Sequence, residues 1–161
     1  MFKLGWFSTG RGLGSKNFLN QIQAEIARGQ LDATIEFVFS NREFGEEEGS
    51  DQFLKLVESY DLPLLTLSSR RFRKENGWGP MEKHRAAFHS EVMRQVSEFS
   101  PDICVLAGYM LIISKEMCRK LNTINLHPSL PKGPVGTWKE VIWNLIRDKA
   151  EHSGVMAHVV T

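Results

Sequence analysis

The chain has 161 residues, 42% of them hydrophobic and 24% charged, with a formal net charge of +1. That length suits one domain with its own core, and the near-neutral charge gives no electrostatic footing for nucleic acid or a membrane surface. No apolar run reaches bilayer length, the N-terminus lacks signal-peptide organisation, and two cysteines make no disulfide framework, so a reduced, cytoplasmic protein is expected.

Strand-like and helix-like segments alternate along the chain. Phe2 to Ser8 reads as a short apolar strand, followed by a glycine-rich turn. Ser15 to Arg28 reads as a helix with Phe18, Leu19, Ile22 and Ile26 on one face. Thr34 to Ser40 alternates Ile35, Phe37 and Phe39 as a strand does. The acidic run Glu46-Glu47-Glu48 opens a helix that carries Phe53, Leu54 and Val57 inward. Leu64 to Leu67 is a third strand, and a long basic loop, Arg70-Arg71-Phe72-Arg73-Lys74, follows it. Pro80 suits the first turn of a helix with Phe88, Val92, Val96 and Phe99. Asp102 to Ala107 is a continuously apolar fourth strand, as expected at the centre of a parallel sheet. Ser114 can cap a short helix ending at Leu121, and Thr123 to Leu126 is a fifth strand. Thr137 and Glu140 have capping-box spacing at the start of a helix with Trp138, Val141, Ile142, Leu145 and Ile146. Gly154 to Val160 is a sixth strand.

This alternation predicts a single α/β domain over residues 1–161, a mainly parallel sheet with helices on both faces. Ligands in such folds bind outside the carboxyl ends of the strands. Three segments fall there: the turn after strand one, the segment after strand four, and Asn125 to Ser129 after strand five.

The turn residues Gly10, Arg11, Gly12, Gly14, Ser15, Lys16 and Asn17 join a strand to a helix. Glycines let backbone N–H groups face an anion, and the helix N-terminus adds partial positive charge. Arg11 and Lys16 could add full charges. The register of a Walker A loop is absent, and the G-x-G-x-G spacing departs from the dinucleotide fingerprint. A phosphate monoester is therefore expected here; the alternative is a tight turn with no ligand.

In Ile124-Asn125-Leu126-His127-Pro128, Asn125 and His127 lie two apart and so share one face of a strand. An amide N–H aimed at an oxyanion can contribute roughly 3 kcal/mol to an acyl-transfer transition state. A histidine beside it can move the amine proton, for roughly 10²–10⁴-fold. The alternative is a polar strand end with His127 satisfied by backbone. His84 and His89 read as surface residues of a helix, His152 as a solvated loop residue, and His158 as either inward or outward on strand six. No His, Cys, Asp or Glu cluster has metal-ligand spacing, so no metal is expected. Cys104 reads as a buried thiol.

The run from Ser100 to Met110, with Asn122 to Leu130 after it, resembles the folate-dependent formyltransferases. The resemblance implies a Rossmann-like, formyltransferase-type sheet that binds 10-formyltetrahydrofolate as co-substrate. It implies formyl transfer to the amine of a small phosphorylated substrate. It gives Asn125 and His127 the catalytic roles and the Gly10–Asn17 turn the substrate phosphate. Met110, Leu111, Ile112 and Ile113 line the folate pocket, and His158 stands near the substrate. Leu111 replaces a common arginine, and one leucine of the usual His-Pro-Ser-Leu-Leu-Pro is missing. The family's catalytic aspartate follows the sixth strand; no Asp of this chain matches it, and Asp148 lies on the preceding helix. The chain is accordingly expected to continue past Thr161, with a strand edge that could support a homodimer. Two further readings are a formyltetrahydrofolate hydrolase on the same fold and a folate-fold binding module without catalysis.

Overall fold

The computed structural model describes residues 1–161. Six strands and six helices follow one another: β1 (Phe2–Ser8), α1 (Leu13–Ala27), β2 (Ala33–Ser40), α2 (Glu48–Ser59), β3 (Leu64–Thr66), α3 (Ser69–Glu75), α4 (Met81–Gln95), β4 (Ile103–Leu106), α5 (Lys115–Lys120), β5 (Thr123–His127), α6 (Trp138–Arg147) and β6 (Met156–Val159). The strands form one sheet in the order β3-β2-β1-β4-β5-β6. Strands β1 to β5 pair in parallel, and β6 runs antiparallel to β5. The order reverses at β1, which lies between β2 and β4. A crevice opens at such a switch point.

Period-two alternation splits the core into two layers, except that the extra residue Glu36 at the bulge in β2 puts Ile35 on the opposite side from Phe37 and Phe39, not on their face as the sequence suggests. Phe7, Phe37, Phe39, Cys104 and Leu106 face one side, where Phe88 and Val92 of α4 and Met117 of α5 close over them. Trp6, Ile35, Val38 and Val105 face the other, against Leu19 of α1 and Phe53, Leu54 and Val57 of α2. The continuous apolar run of β4 thus serves both layers. Gly5 marks a bulge between β1 and β2, and a Cβ there would fall 2.7 Å from the Phe37 ring and 2.9 Å from the Cys104 sulfur. Cys104 is buried, and desolvation pushes its thiol pKa up to about 12, so it is an inert core residue.

Several local expectations hold, because they rest on capping chemistry. Ser114 accepts a hydrogen bond from the Met117 N–H, and Thr137 and Glu140 form the capping box of α6. Others do not. The basic stretch 70–74 is helix α3, not a loop; Ser68 caps it by accepting from the Arg71 N–H, and Arg, Lys and Glu propagate it readily. Phe99 lies beyond the end of α4 and still packs on the core, with its ring 5.0 Å from that of Phe37. Of the apolar residues of α6 only Val141 is fully buried; Trp138, Ile142, Trp143 and Ile146 lie on its exposed side.

His89, expected on the surface, is fully buried. Its Nδ1 lies 2.9 Å from the Arg85 carbonyl oxygen, which can only accept, so Nδ1 carries the proton. Nε2 then accepts from the Tyr109 hydroxyl at 3.3 Å. This buried partner makes a histidine acceptable between Phe88 and Val92. Desolvation lowers the His89 pKa from 6.5 to about 4, against an opposing contribution from the Arg85 carbonyl. The unfolded chain binds a proton on this ring near pH 6.5 and the folded chain only near pH 4. The His89 contribution to stability is therefore complete above pH 6.5 and falls as pH drops through that window, by up to about 3 kcal/mol. Urea unfolding between pH 7 and 4 should show this loss, and His89→Leu should flatten the slope over the same interval.

Candidate functional site

The Gly10–Asn17 turn sits at the carboxyl end of β1, against the switch point. Gly10 has φ +68°, and a Cβ on it would lie 2.7 Å from the Phe53 ring, so two constraints require glycine there. Gly12 is the N-cap of α1 and offers no side-chain cap, which leaves the first-turn amides to another acceptor. Behind the turn, a Cβ on Gly49 would fall 2.2 Å from the Arg11 carbonyl oxygen. Helix α2 therefore backs directly onto the turn because residue 49 has no side chain. The two expected cationic contacts are drawn towards α2. Arg11 Nε pairs with Glu47 at 3.0 Å, and the Lys16 ammonium donates to Gln52. Asn17 and Lys16 line a shallow groove between α1 and α2. What the turn presents to an anion is chiefly backbone.

Ser15 reaches across the crevice: its Oγ would lie 3.0 Å from a Cβ placed on Gly108, which has φ +73°. The turn and the segment after β4 are joined more firmly at Thr9. The Thr9 N–H donates to the Gly108 carbonyl at 3.1 Å. Its hydroxyl donates to Asn41 Oδ1 at 2.7 Å and accepts from the Met110 N–H at 2.9 Å. Its carbonyl accepts from Ser50 Oγ at 3.0 Å. Asn41 in turn donates to Ser69 Oγ, which also accepts from Arg42. Thr9, Asn41, Ser50 and Ser69 are all buried. None of Thr9, Asn41, Ser50, Gly49 or Ser69 stands out in the sequence; a buried threonine or asparagine at a strand's carboxyl end is the only signal they carry.

Within the segment 110–113 the side chains part company. Met110 and Ile112 are exposed, Ile113 is buried, and Leu111 packs against the core. The exposed pair stands just past the carboxyl end of β4.

On β5, Asn125 and His127 are half-buried on the same face, and Leu126 points the other way. Antiparallel pairing sets Asn125 opposite His158. The Asn125 Nδ2 donates to His158 Nε2 at 3.3 Å, while His158 Nδ1 lies 3.0 Å from the Val159 carbonyl oxygen and so holds the ring proton. One amide hydrogen of Asn125 is thereby fixed, and the second is left for another acceptor. His127 Nε2 donates to the Pro134 carbonyl at 3.1 Å, so the lone pair of the neutral ring is at Nδ1, which has no protein partner. The ring is anchored by backbone and keeps an unshared lone pair on its free side. His158, whose orientation the sequence left open, is brought to Asn125. His152 stays exposed, and His84 Nε2 donates to the Trp78 carbonyl at 3.1 Å, away from β5. A cavity of about 300 Å³ bordered by Leu130, Gly133, Leu145, Asp148 and His152 contains none of Asn125, His127 or His158. Asp148 caps α6 and pairs with Arg147 at 3.0 Å. No group of three or more His, Cys, Asp or Glu side chains could hold a metal ion. No helix is long and apolar enough to cross a membrane.

Fold and crevice together define a doubly wound α/β domain with a glycine-rich turn after β1 and an Asn–His pair on β5. Residues 12–161 match the family model described as "Formyl transferase", and the chain belongs to that family. It is 33% identical over 85 residues to phosphoribosylglycinamide formyltransferase of Saccharomyces cerevisiae, a match covering 48% of this chain and 40% of that protein. The structure of the phosphoribosylglycinamide formyltransferase from Coxiella burnetii superposes with a TM-score of 0.77 at 25% identity, over 99% of this chain and 66% of that one. A formyltetrahydrofolate deformylase from Pseudomonas syringae superposes with a TM-score of 0.73 at 23% identity, over 99% of this chain and 46% of that one. The match thus spans less than half of the yeast relative, and the superposition just under two thirds of the Coxiella structure.

Two substitutions test the construction of the crevice. Thr9→Val keeps the shape and removes the hydroxyl, stranding Asn41 Oδ1 and the Met110 N–H; it should cost about 2–4 kcal/mol in chemical denaturation, and Thr9→Ser should recover most of it. Gly49→Ala should cost about 1–3 kcal/mol by pushing on the Arg11 carbonyl, despite alanine's better helix propensity. Gly12→Ala, which meets open space, is the control and should stay within about 1 kcal/mol.

Proposed function

We propose that this chain is the folate-binding and catalytic part of a formyltransferase that moves a formyl group from 10-formyltetrahydrofolate to the amine of a small phosphorylated substrate of the glycinamide ribonucleotide type, as in purine biosynthesis. The observation that carries the reading is on β5. Asn125 holds one amide hydrogen on His158 and keeps the other free, and His127 on the same face keeps Nδ1 free. Family membership and the phosphoribosylglycinamide formyltransferase relatives support the choice of reaction.

The chemistry is that of acyl transfer. The substrate amine attacks the formyl carbon, giving a tetrahedral centre with an oxyanion and a protonated nitrogen. The free Asn125 N–H stabilises the oxyanion. His127 Nδ1 takes the amine proton and returns one to the departing folate nitrogen. The amides of the Gly10–Asn17 turn hold the substrate phosphate at the N-terminus of α1. Met110 to Ile113 hold the folate, through backbone groups and the exposed side chains of Met110 and Ile112. No metal takes part in this scheme.

A second reading has its own support. The deformylase among the structural neighbours shares this fold, so water could replace the amine at the same centre. The two are separated by incubating the protein with 10-formyltetrahydrofolate in the presence and absence of glycinamide ribonucleotide. Transfer predicts tetrahydrofolate release only with the amine; hydrolysis predicts release, with formate, without it. Asn125→Ala and His127→Ala should each lower turnover by roughly 10²-fold or more while leaving folate binding within a few-fold. Folate binding with no turnover of either kind would make the domain a binding module, and normal turnover by both variants would remove Asn125 and His127 from the chemistry.

A further inference from the structure

We infer that the buried hydrogen bond between His89 and Tyr109 is the inner anchor of the Gly108–Ile113 segment, with His89 as a positioning residue that acts on the folate pocket through Tyr109. The inference rests on the reading of residues 110–113 as the folate-lining wall.

Tyr109, between Gly108 and Met110, enters the core at the start of the segment, and Ile113 does so at its end. The Tyr109 ring lies against Phe7, Phe39 and His89, with centroids 5.9, 6.3 and 6.2 Å away. The residues on either side are held from the opposite direction: Thr9 binds the Gly108 carbonyl and the Met110 N–H. The segment is thus gripped by Thr9 at the crevice and by His89 from α4. Ring packing alone allows Tyr109 to slide along its neighbours, because dispersion contacts have little directionality. A hydroxyl that must meet one nitrogen lone pair fixes the height of the ring, and with it the Cα from which Met110 departs. The His89 end is equally fixed, because its other nitrogen is committed to the Arg85 carbonyl. The net gain in stability from such a buried pair is small, since an apolar pair of the same shape would fill the space nearly as well. What the polar pair adds is a single geometry.

The distinction gives the test. Tyr109→Phe leaves His89 Nε2 buried without a donor and should lower stability. The double variant Tyr109→Phe/His89→Leu removes both polar ends and should recover most of that stability. Binding of 5-formyltetrahydrofolate, a stable formyl folate, is measured by calorimetry on all three proteins, and exchange of the Met110 amide by NMR. Positioning predicts that both variants bind the probe about tenfold more weakly. It also predicts that the Met110 amide exchanges about tenfold faster in both, including the double variant whose stability has returned. A double variant that regains both affinity and slow exchange overturns the inference and leaves the pair as core filling. If the wild-type protein takes up no 5-formyltetrahydrofolate, the folate reading falls; the Met110 exchange rate then decides the anchor by itself, and unchanged exchange in both variants overturns it.

Discussion

The carboxyl ends of β1, β2 and β4 are tied together at Thr9. The residue is buried, and each of its polar groups is used: N–H to β4's exit, hydroxyl to β2's exit and to Met110, carbonyl to α2. The switch point of a doubly wound sheet is a gap, because the connections on its two sides leave in opposite directions. A gap that is to hold a ligand needs its walls at a set separation. Apolar packing cannot supply that from inside a crevice open to water. Four hydrogen bonds to one short side chain and its backbone can, and they bind the walls to each other rather than to the core below. The glycines around Thr9 serve the same end: Gly10, Gly49 and Gly108 let backbone approach where any side chain would hold it off.

The histidines follow one rule of construction. His89, His127 and His158 each commit one ring nitrogen to a backbone carbonyl, of Arg85, Pro134 and Val159 respectively. A carbonyl can only accept, so each contact decides where the ring proton sits and which nitrogen keeps its lone pair. In His89 that lone pair meets a tyrosine, in His158 an asparagine amide, and in His127 nothing from the protein. The three differ in role because of what faces the second nitrogen. The backbone bond to His127, which taken alone reads as a satisfied structural histidine, is also what makes its free nitrogen directional.

Much of this was legible in the sequence where local chemistry speaks. The alternation of strands and helices, the caps at Ser114 and Thr137, and the shared face of Asn125 and His127 follow from periodicity and short-range hydrogen bonding. The tertiary parts were not. His89 looked like a surface residue because nothing within α4 shows that Tyr109, twenty positions on, supplies its partner. Helix α3 was hidden by a charge run that reads equally as loop. Gly49 is an unremarked helix glycine until Arg11 is seen to lie behind it. Arg11 and Lys16 stand in the turn as the sequence places them, but their contacts with Glu47, the N-cap of α2, and with Gln52 within it are invisible from the turn alone. Each of these depends on contacts between elements that the sheet order brings together.

The order of strands has a consequence for how the chain comes into being. Strand β1 lies between β2 and β4, and the bond from the Lys3 N–H to Asp102 spans 99 positions. A ribosome delivers β1, β2 and β3 long before it delivers β4. In that interval one side of β1, with Trp6 and Phe7, stands as an unpaired apolar edge. Closing so long a loop is slow compared with local helix formation. The nascent chain therefore carries this unpaired apolar edge until β4 emerges, and a chaperone that shields a single strand edge would have its opportunity in that interval.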